Sequence, residues 1–453
     1  MRRLASPAVL LLVAALVGGL LPLAAPVPPA RAAVTFTVTS TGDVGDAEPE
    51  GACDSNPTWL EVECTLREAI QEANFSPGAD TITFGILNLP SSPAACDAAT
   101  GVCTIRPATT LPAVTRPLTI DGYTQPGASP NTRARGTNAV LRIELDGSDA
   151  PGTGGLRIEA RDTVVRGLVI NRFNSTGIRV SGAATTGVQI AGCFVGTDAS
   201  GTFGRGNERG LALNAPNAIV GGDARADRNL IAGNDVHGIE LPSSAPGGRV
   251  QGNLIGTDKT GAAPLGNGST GVFTFATDTV IGGDDDAANI IAFNGGDGVL
   301  VSGGTGNRIL RNSVFANGGL GIDLRGGTED AAGATANDED DHDLGPNGLQ
   351  NTPVLRAATT TGAATTVGGR FNSTPNKTFT LRFFANRAGE DEGRTYLGEQ
   401  SVTANAVGNV SFIFGPDQKV AVGKTITATA TGPGGNTSEF SAARTVDAGG
   451  IGG

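Results

Sequence analysis

Short apolar runs separated by Gly, Asn and Asp extend from about residue 111 to about residue 325. Typical runs are "TVVRGLVI" (163–170), "GVQIAGCFVG" (187–196) and "RVQGNLIG" (249–256). They are rich in Val and Ile, too short for stable helices, and bounded by residues that favour turns. This part of the chain is therefore predicted to consist of short β-strands.

The runs repeat with a period of sixty residues. The tripeptide "GTD" at 196–198 recurs at 256–258, and "NLIAGN" (229–234) recurs as "NIIAFN" (289–294). About six strands fall within each unit, which predicts about three coils of a parallel β-helix, each of about twenty residues. A β-propeller is the structural rival, but its blades have about 40–45 residues and usually carry aromatic signatures that are missing here.

Residues 33–110 differ from the repeats and contain one convincing helix, "CTLREAIQEAN" (64–74). Thr65 and Glu68 have the spacing of a capping box. Four apolar side chains share one face of this helix: Leu66, Ala69, Ile70 and Ala73. A lone amphipathic helix is suited to cover the open apolar end of a solenoid, so this region is predicted to be an N-terminal cap that precedes a β-helix at 111–327.

An acidic segment ends the repeats. Residues 328–352 include "EDAAGATANDEDDHD" and are predicted to form a solvated linker. From 353 to 447 apolar residues recur every second position, which predicts a small antiparallel β-sandwich of immunoglobulin-like type. One such series is Phe379, Leu381 and Phe383. Residues 448–453 are a Gly-rich tail.

Residues 1–32 have the pattern of a secretory signal peptide. Arg2 and Arg3 precede an apolar run, and "ARA" (30–32) suits cleavage after Ala32. An N-terminal membrane anchor is the alternative, although the run is short for a membrane span. Removal of this segment takes the formal charge from −12 to −15. We expect an exported protein with no membrane span in the mature chain and no electrostatic basis for binding nucleic acid.

Composition agrees with a stacked fold in an oxidising compartment. The chain has 69 Gly but only one Trp and two Tyr, which is poor material for a conventional globular core. The scarcity of aromatic residues also argues against stacking platforms for sugars. Cys53 lies near Cys64, and Cys96 near Cys103, so two short-range disulfides are the simplest pairing of the three that four cysteines allow.

Several motifs together resemble a known family. "CTLREAI" (64–70) is similar to the signature of the CSLREA domain of bacterial exported proteins, with Thr65 where that name has Ser. "TIDGYTQPGASPNT" (119–132) and "GPNGLQNTPVL" (345–355) resemble the right-handed parallel β-helix proteins that carry this domain. The resemblance implies an all-β protein with an N-terminal cap and a C-terminal sandwich. It implies little about function, because the pectate-lyase-like fold serves both enzymes and adhesins.

Two acidic clusters are candidate sites. Asp284, Asp285 and Asp286 lie about one coil before Arg308 and Arg311, and clustered Asp with an Arg base is the chemistry of a Ca²⁺-dependent polysaccharide lyase. A second cluster falls in the acidic segment and offers oxygen ligands for Ca²⁺ without the order of an EF-hand loop. Its members are Asp338, Asp340, Asp341 and Asp343.

Other conspicuous residues are better explained by turns. Asp258 is predicted to cap backbone N–H groups, since its neighbour Lys259 is replaced by Ala199 in the previous unit. His237 is replaced by Asp297 in the next unit, so it is not tuned as a general base. Cys193 is predicted to be a packed, unreactive thiol. The repeating amides are predicted to form ladders at the turns: Asn229, Asn234, Asn253, Asn289, Asn294, Asn312 and Asn317.

These observations favour a secreted or cell-surface scaffold without catalytic activity. A rod with evenly spaced side chains suits the binding of a polysaccharide or a surface protein. The alternative is a Ca²⁺-dependent polysaccharide lyase or a glycoside hydrolase that works in a groove along the β-helix.

Overall fold

A computed structural model describes residues 32–54, 63–87, 96–150, 152, 154–330, 333–362 and 364–449. The predicted signal peptide lies outside the described residues except for Ala32, and so do the last four residues of the predicted tail. No helix within the described ranges is both long and apolar enough to span a membrane.

Three long parallel sheets form the larger part of the fold. Sheet 1 has nine strands, in hydrogen-bonded order Thr35–Val38, Asp80–Phe84, Leu118–Asp121, Val164–Arg166, Gln189–Ala191, Ile219–Gly221, Arg249–Gln251, Val280–Gly282 and Arg308–Leu310. Sheet 2 has eight strands, Cys103–Ile105, Ile143–Asp146, Leu168–Asn171, Phe194–Val195, Leu230–Ile231, Leu254–Ile255, Ile290–Ala292 and Ser313–Phe315. Sheet 3 has seven strands, Leu156–Ile158, Thr176–Ser181, Arg209–Asn214, Ile239–Leu241, Val272–Thr274, Val299–Val301 and Ile322–Leu324.

The chain visits the three sheets in turn, which confirms a parallel β-helix. The predicted number of coils in each repeat is wrong, however. Gln189 pairs with Ile219, and Ile219 pairs with Arg249, so positions sixty residues apart are two coils apart. Each unit therefore holds two coils of about thirty residues with three strands each. The count of six strands was right, but runs of apolar residues do not reveal how many strands close one turn.

The interior of the β-helix is filled by aliphatic side chains stacked in register. In sheet 1 the central residues of successive strands form one column, Val165, Ile190, Val220, Val250, Ile281 and Ile309. All of these side chains are buried. Burying a Val or Ile side chain contributes roughly 1.5–3 kcal/mol, so small residues suffice once they are stacked.

The N-terminal region both covers and begins the β-helix. Residues 33–110 contain the predicted helix, but they also supply the strands Thr35–Val38 and Asp80–Phe84 of sheet 1 and Cys103–Ile105 of sheet 2, so the coils begin before the predicted boundary at residue 111. Helix α1 spans Leu66–Phe75, and its capping box joins the Thr65 side chain to the Glu68 backbone. The apolar face of α1 is buried, and the helix packs on the first two strands of sheet 1. Two disulfides are confirmed, Cys53–Cys64 and Cys96–Cys103.

In the described part of the chain, short 3₁₀ helices occur at turns, Gly122–Thr124, Gly147–Asp149, Arg225–Asp227, Asp285–Ala287, Glu339–Asp341 and Pro346–Leu349. The C-terminal region has two four-stranded sheets that share one hydrophobic core. Sheet 4 contains Asn409–Phe414, Ala364–Asn372, Val354–Thr361 and Asp447–Ala448. Sheet 5 contains Thr395–Thr403, Thr378–Asn386, Thr425–Thr431 and Arg444–Thr445. Apart from the parallel pairing of the short last strand of sheet 4, neighbouring strands are antiparallel.

The C-terminal sheets cover the last coil of the β-helix. The backbone N–H of Val314 donates to the carbonyl of Gly393, and the N–H of Gly393 donates back to Val314. In sheet 1 the N–H of Ile309 donates to the Thr437 hydroxyl at 3.1 Å. The exposed edge of a sheet is a template for aggregation, so these contacts protect the solenoid at this end.

Two buried glutamates complete this cover. Both carboxylate oxygens of Glu392 accept hydrogen bonds from Asn317, one from its backbone N–H at 3.0 Å and one from its side-chain amide at 2.8 Å. Glu439 accepts from the backbone N–H of Leu324 at 2.8 Å. Burial is the main cause that raises the pKa of each glutamate from 4.5 to about 7.

We expect the protein to become less stable as the pH rises from about 5 to about 8. In this window the folded state binds more protons at Glu392 and Glu439 than the unfolded state does, so the free energy of unfolding falls with rising pH, by up to about 3 kcal/mol for each carboxyl group. Thermal melts across the window measure this slope, and Glu392→Gln and Glu439→Gln should each flatten it. A melting temperature that rises with pH would contradict the expectation.

Candidate functional site

Among the described residues, the outward face of sheet 2 is covered by loops. Outward side chains of sheet 2, with residues next to its strands, form a second hydrophobic cluster, Leu141, Val169, Phe194, Leu230, Ala232 and Leu254. Ala139, Ala199 and Leu265, which come from flanking loops, pack against this cluster. A ligand for the β-helix would therefore contact sheet 1 or sheet 3.

The repeated "GTD" loops belong to this cover. Asp258 accepts hydrogen bonds from the backbone N–H groups of Thr260 at 3.1 Å and Ala263 at 3.2 Å, which confirms the predicted capping role. Lys259 contributes its backbone, whose N–H donates to the carbonyl of Gly201 in the preceding loop at 2.9 Å. The two loops are thus equivalent corners that stack on each other, and the Asp–Lys pair is part of a turn.

Two of the three carboxylates in the acidic triplet at residues 284–286 form ion pairs with arginines. Asp284 pairs with Arg311 at 2.8 Å, and Asp286 pairs with Arg225 at 2.9 Å. Asp285 is exposed and has a positive φ of 47° in a 3₁₀ turn. Among the residues that the structure describes, this triplet is not one of the acidic groups close enough to hold a metal ion.

Arg308 and Arg311 lie on opposite ends of the last strand of sheet 1. Arg311 also pairs with Glu399 at 3.2 Å and lies over the Tyr396 ring, so it joins the β-helix to sheet 5. Arg308 lies elsewhere on the surface, where it lines a groove across sheet 1. The five residues predicted for a lyase therefore lie in two separate parts of the surface. Among them, the described ion pairs join Asp284 to Arg311.

The groove across sheet 1 has a volume of about 480 Å³. Its lining residues come from four successive coils: Asn217, Ile219, Gly247, Arg249, Asp278, Val280, Gly306 and Arg308. Arg249 and Arg308 are exposed, and no ion pair holds either guanidinium within the described part of the chain. Val280 pairs with both of them, so the two arginines are two coils, or about 10 Å, apart.

An aromatic cluster lies on the outward side of sheet 3. The rings of His237 and Phe273 stack at 4.7 Å, and Phe275 meets Phe273 edge-on at 4.9 Å. Phe275 is 39% exposed, and burial lowers the pKa of His237. The expectation that the chain lacks stacking platforms is therefore wrong at this place. The alternation of Phe273 and Phe275 was a signal for it, because residues two apart on a strand share a face.

The acidic segment brings three of its four predicted metal ligands together. Carboxylate oxygens of Asp338, Asp341 and Asp343 lie within 4.8 Å of one another. Asp340 is outside this group and has its Oδ1 next to Gly408. Burial, followed by the charges of Asp338 and Asp341, raises the pKa of Asp343 to about 6.

The repeating asparagines form two ladders. One lies between sheets 1 and 2, Asn229, Asn253, Asn289 and Asn312, and the other between sheets 2 and 3, Asn207, Asn234, Asn267, Asn294 and Asn317. Cys193 begins the first ladder, where its Sγ lies 3.4 Å from the Ala191 carbonyl. It is fully buried, which raises the pKa of its thiol to about 12. These residues maintain the coil and do not line a site.

No protein-family model and no curated protein matches this chain. Two solved structures of phage tailspikes are similar to it. The enzymatically active domain of tailspike protein 2 from bacteriophage CBA120 is 12% identical with a TM-score of 0.22, and the match covers 81% of this chain but only 66% of that one. The Acinetobacter baumannii bacteriophage Fri1 tailspike gp49, a capsular polysaccharide depolymerase, is 9% identical with a TM-score of 0.14, covering 74% and 68%. At these values the likeness carries no argument about function.

Proposed function

We propose that this protein is an exported, non-catalytic scaffold that binds an acidic polysaccharide along sheet 1. In this proposal residues 1–32 are a signal peptide, residues 33–110 are a CSLREA-type cap on a right-handed β-helix, and residues 353–447 are an immunoglobulin-like sandwich. The mature protein acts outside the cell or at its surface.

The groove across sheet 1 is the observation that carries the proposal. Arg249 and Arg308 have no ion-pair partner among the described residues although the chain as a whole is acidic. Exposed guanidinium groups without an ion-pair partner bind carboxylates or sulfates through charge-assisted hydrogen bonds. Their spacing along the rod follows from the coil repeat, and it suits a linear polymer with a negative charge on alternate sugars.

The arrangement of the acidic triplet supports a binding role over catalysis. A lyase would need free carboxylates to hold Ca²⁺ against its substrate and an arginine free to accept a proton. Asp284 and Asp286 instead pair with Arg311 and Arg225, and Arg311 is further engaged by Glu399. The aromatic cluster of sheet 3 does not line the groove.

Binding to immobilised acidic and neutral polysaccharides tests the proposal. We expect the protein to retain acidic glycans, with an affinity that falls as salt increases. Arg249→Ala and Arg308→Ala should each weaken binding by about tenfold, which corresponds to about 1.4 kcal/mol for one lost charge-assisted contact. Arg179→Ala is the matched control, because Arg179 is an exposed arginine on the outward face of sheet 3.

Two results would contradict the proposal. One is equal binding by the groove variants and Arg179→Ala, which would place the ligand elsewhere. The other is release of unsaturated products from uronate polymers in the presence of Ca²⁺, abolished by Asp284→Ala. The second result would instead establish the lyase as the function of this chain.

A further inference from the structure

The strongest unassigned feature is the carboxylate cluster between the β-helix and the C-terminal sheets. Asp338, Asp341 and Asp343 bring their oxygens within 4.8 Å of one another. Among the described residues, no Lys, Arg or His forms an ion pair with any of these three side chains. Three carboxylates at this separation repel one another unless a cation lies between them.

The hydrogen bonding of this cluster is incomplete in a way that points to a ligand. Oδ1 of Asp338 and Oδ1 of Asp343 are each buried, and neither has a hydrogen-bond partner. The other oxygen of Asp338 is fixed by the backbone N–H groups of His342 at 2.9 Å and Asp343 at 3.1 Å. The turn therefore fixes Asp338 while leaving one of its buried oxygens without a partner, and a buried acceptor without a partner is costly.

Asp341 is held in the cluster by the C-terminal region. Its Oδ1 accepts from the backbone N–H of Asn351 at 2.7 Å, and its Oδ2 accepts from the side-chain amide of Gln350 at 2.7 Å and the Ser373 hydroxyl at 2.8 Å. Ser373 directly follows the sheet 4 strand Ala364–Asn372. A cation in the cluster would thus connect the segment after the β-helix to sheet 4.

We propose that Asp338, Asp341 and Asp343 bind one Ca²⁺ ion. All three ligands are hard oxygen donors without a nitrogen or sulfur atom, which suits Ca²⁺ or Mg²⁺ and disfavours Zn²⁺. Ca²⁺ is the better fit, because it accepts several carboxylates in irregular geometry, whereas Mg²⁺ retains most of its water. The ion has a structural role at this junction, and the proposal does not depend on polysaccharide binding in the groove.

Calorimetric titration of the chelator-treated full chain with CaCl₂ tests the site. We expect one ion per chain with a Kd in the range of about 10⁻⁵ to 10⁻³ M, as for sensors and extracellular modules, and weaker binding of MgCl₂. Ca²⁺ should also raise the melting temperature and slow cleavage by an Asp-specific protease within residues 338–343. Asp343→Asn should weaken Ca²⁺ binding by at least about tenfold.

Glu339→Gln is the matched control, since it removes the same charge from an exposed side chain of the same turn. It should leave the Kd within about twofold. Three outcomes would overturn the proposal: no saturable binding by folded wild-type protein at millimolar CaCl₂, unchanged affinity in Asp343→Asn, or an equal loss in Glu339→Gln. The titration of the wild-type chain decides the question even if Asp343→Asn does not fold.

Discussion

Gly256→Ala is expected to lower the free energy of unfolding by at least about 4 kcal/mol. Gly256 has a φ of +81°, where an L-residue is strained by roughly 1–2 kcal/mol. A Cβ at this position would also overlap the backbone carbonyl of Ala292 in the next coil and the side chain of Asn294. Neither group can move without breaking the stacking of the coils, so the overlap adds to the strain. Denaturant unfolding followed by circular dichroism measures the loss.

Gly261→Ala separates the two causes. Gly261 has a similar φ of +72°, but the atoms nearest to its Cβ would be flexible side-chain ends, Cδ1 of Ile290 at 3.0 Å and Cδ2 of Leu254 at 3.3 Å, with the backbone of Gly136 at an ordinary contact distance of 3.9 Å. We expect a loss of about 1 kcal/mol there. Gly434→Ala should be neutral, because nothing lies near its Cβ position. Equal losses for Gly256→Ala and Gly261→Ala would show that contact between coils does not determine the glycine at the "GTD" corner.

Asn253→Ala is expected to cost about 3 kcal/mol. The side-chain nitrogen of Asn253 shares its two hydrogens among the carbonyls of Val220 and Gln251 at 2.9 Å and Oδ1 of Asn289 at 3.0 Å, and its oxygen accepts from Asn229 at 2.9 Å. Truncation leaves several of these buried groups without partners, and each such group carries a penalty of about 1–3 kcal/mol that partial relaxation reduces. Thermal and denaturant melts of the purified variant measure the effect.

The matched control is Cys193→Ala, one repeat unit earlier in the same ladder. The Cys193 thiol lies near the Val165 and Ala191 carbonyls, in the same relation as the Asn253 amide to Val220 and Gln251. A thiol is a weak donor, so its removal should cost only about 1 kcal/mol. If both variants lost the same stability, the amide ladder would contribute no more than packing does.

The fold was largely predictable because its determinants are local or periodic. The capping box at Thr65 and Glu68, the close cysteine pairs and the "GTD" repeat each depend on residues that are near in sequence or separated by one period. The number of coils per period was not predictable, since six strands fit either two or three turns. That choice depends on which strands pair, and the pairing of Gln189 with Ile219 and of Ile219 with Arg249 reveals it.

The candidate sites were harder to predict. The triplet at Asp284 and its partner Arg311 do meet, but Arg308 lies in a different part of the surface, because Arg308 begins the strand Arg308–Leu310 and Arg311 follows its end. The presence of Arg249 and Arg308 in one groove could have been predicted from the sequence, because the two residues are about one period apart. The Asp338–Asp343 cluster was visible as a run of acids, but the position of Asp341 in it depends on hydrogen bonds from Gln350 and Ser373, which no local pattern connects to it.

Corners with a hairpin loop alternate with corners that have a shorter turn, and this limits how many residues can be inserted into or deleted from the β-helix. Each "GTD" corner is a hairpin closed by an antiparallel bridge, Thr197 with Gly204 and Thr257 with Pro264. The two antiparallel segments of a hairpin are about 4.8 Å apart, so one hairpin occupies about the height of two coils of the β-helix. Hairpin loops on adjacent coils would therefore overlap. An engineered version should therefore tolerate insertion or deletion of a sixty-residue cassette, whereas a thirty-residue change would bring two hairpins into the same space or leave a gap.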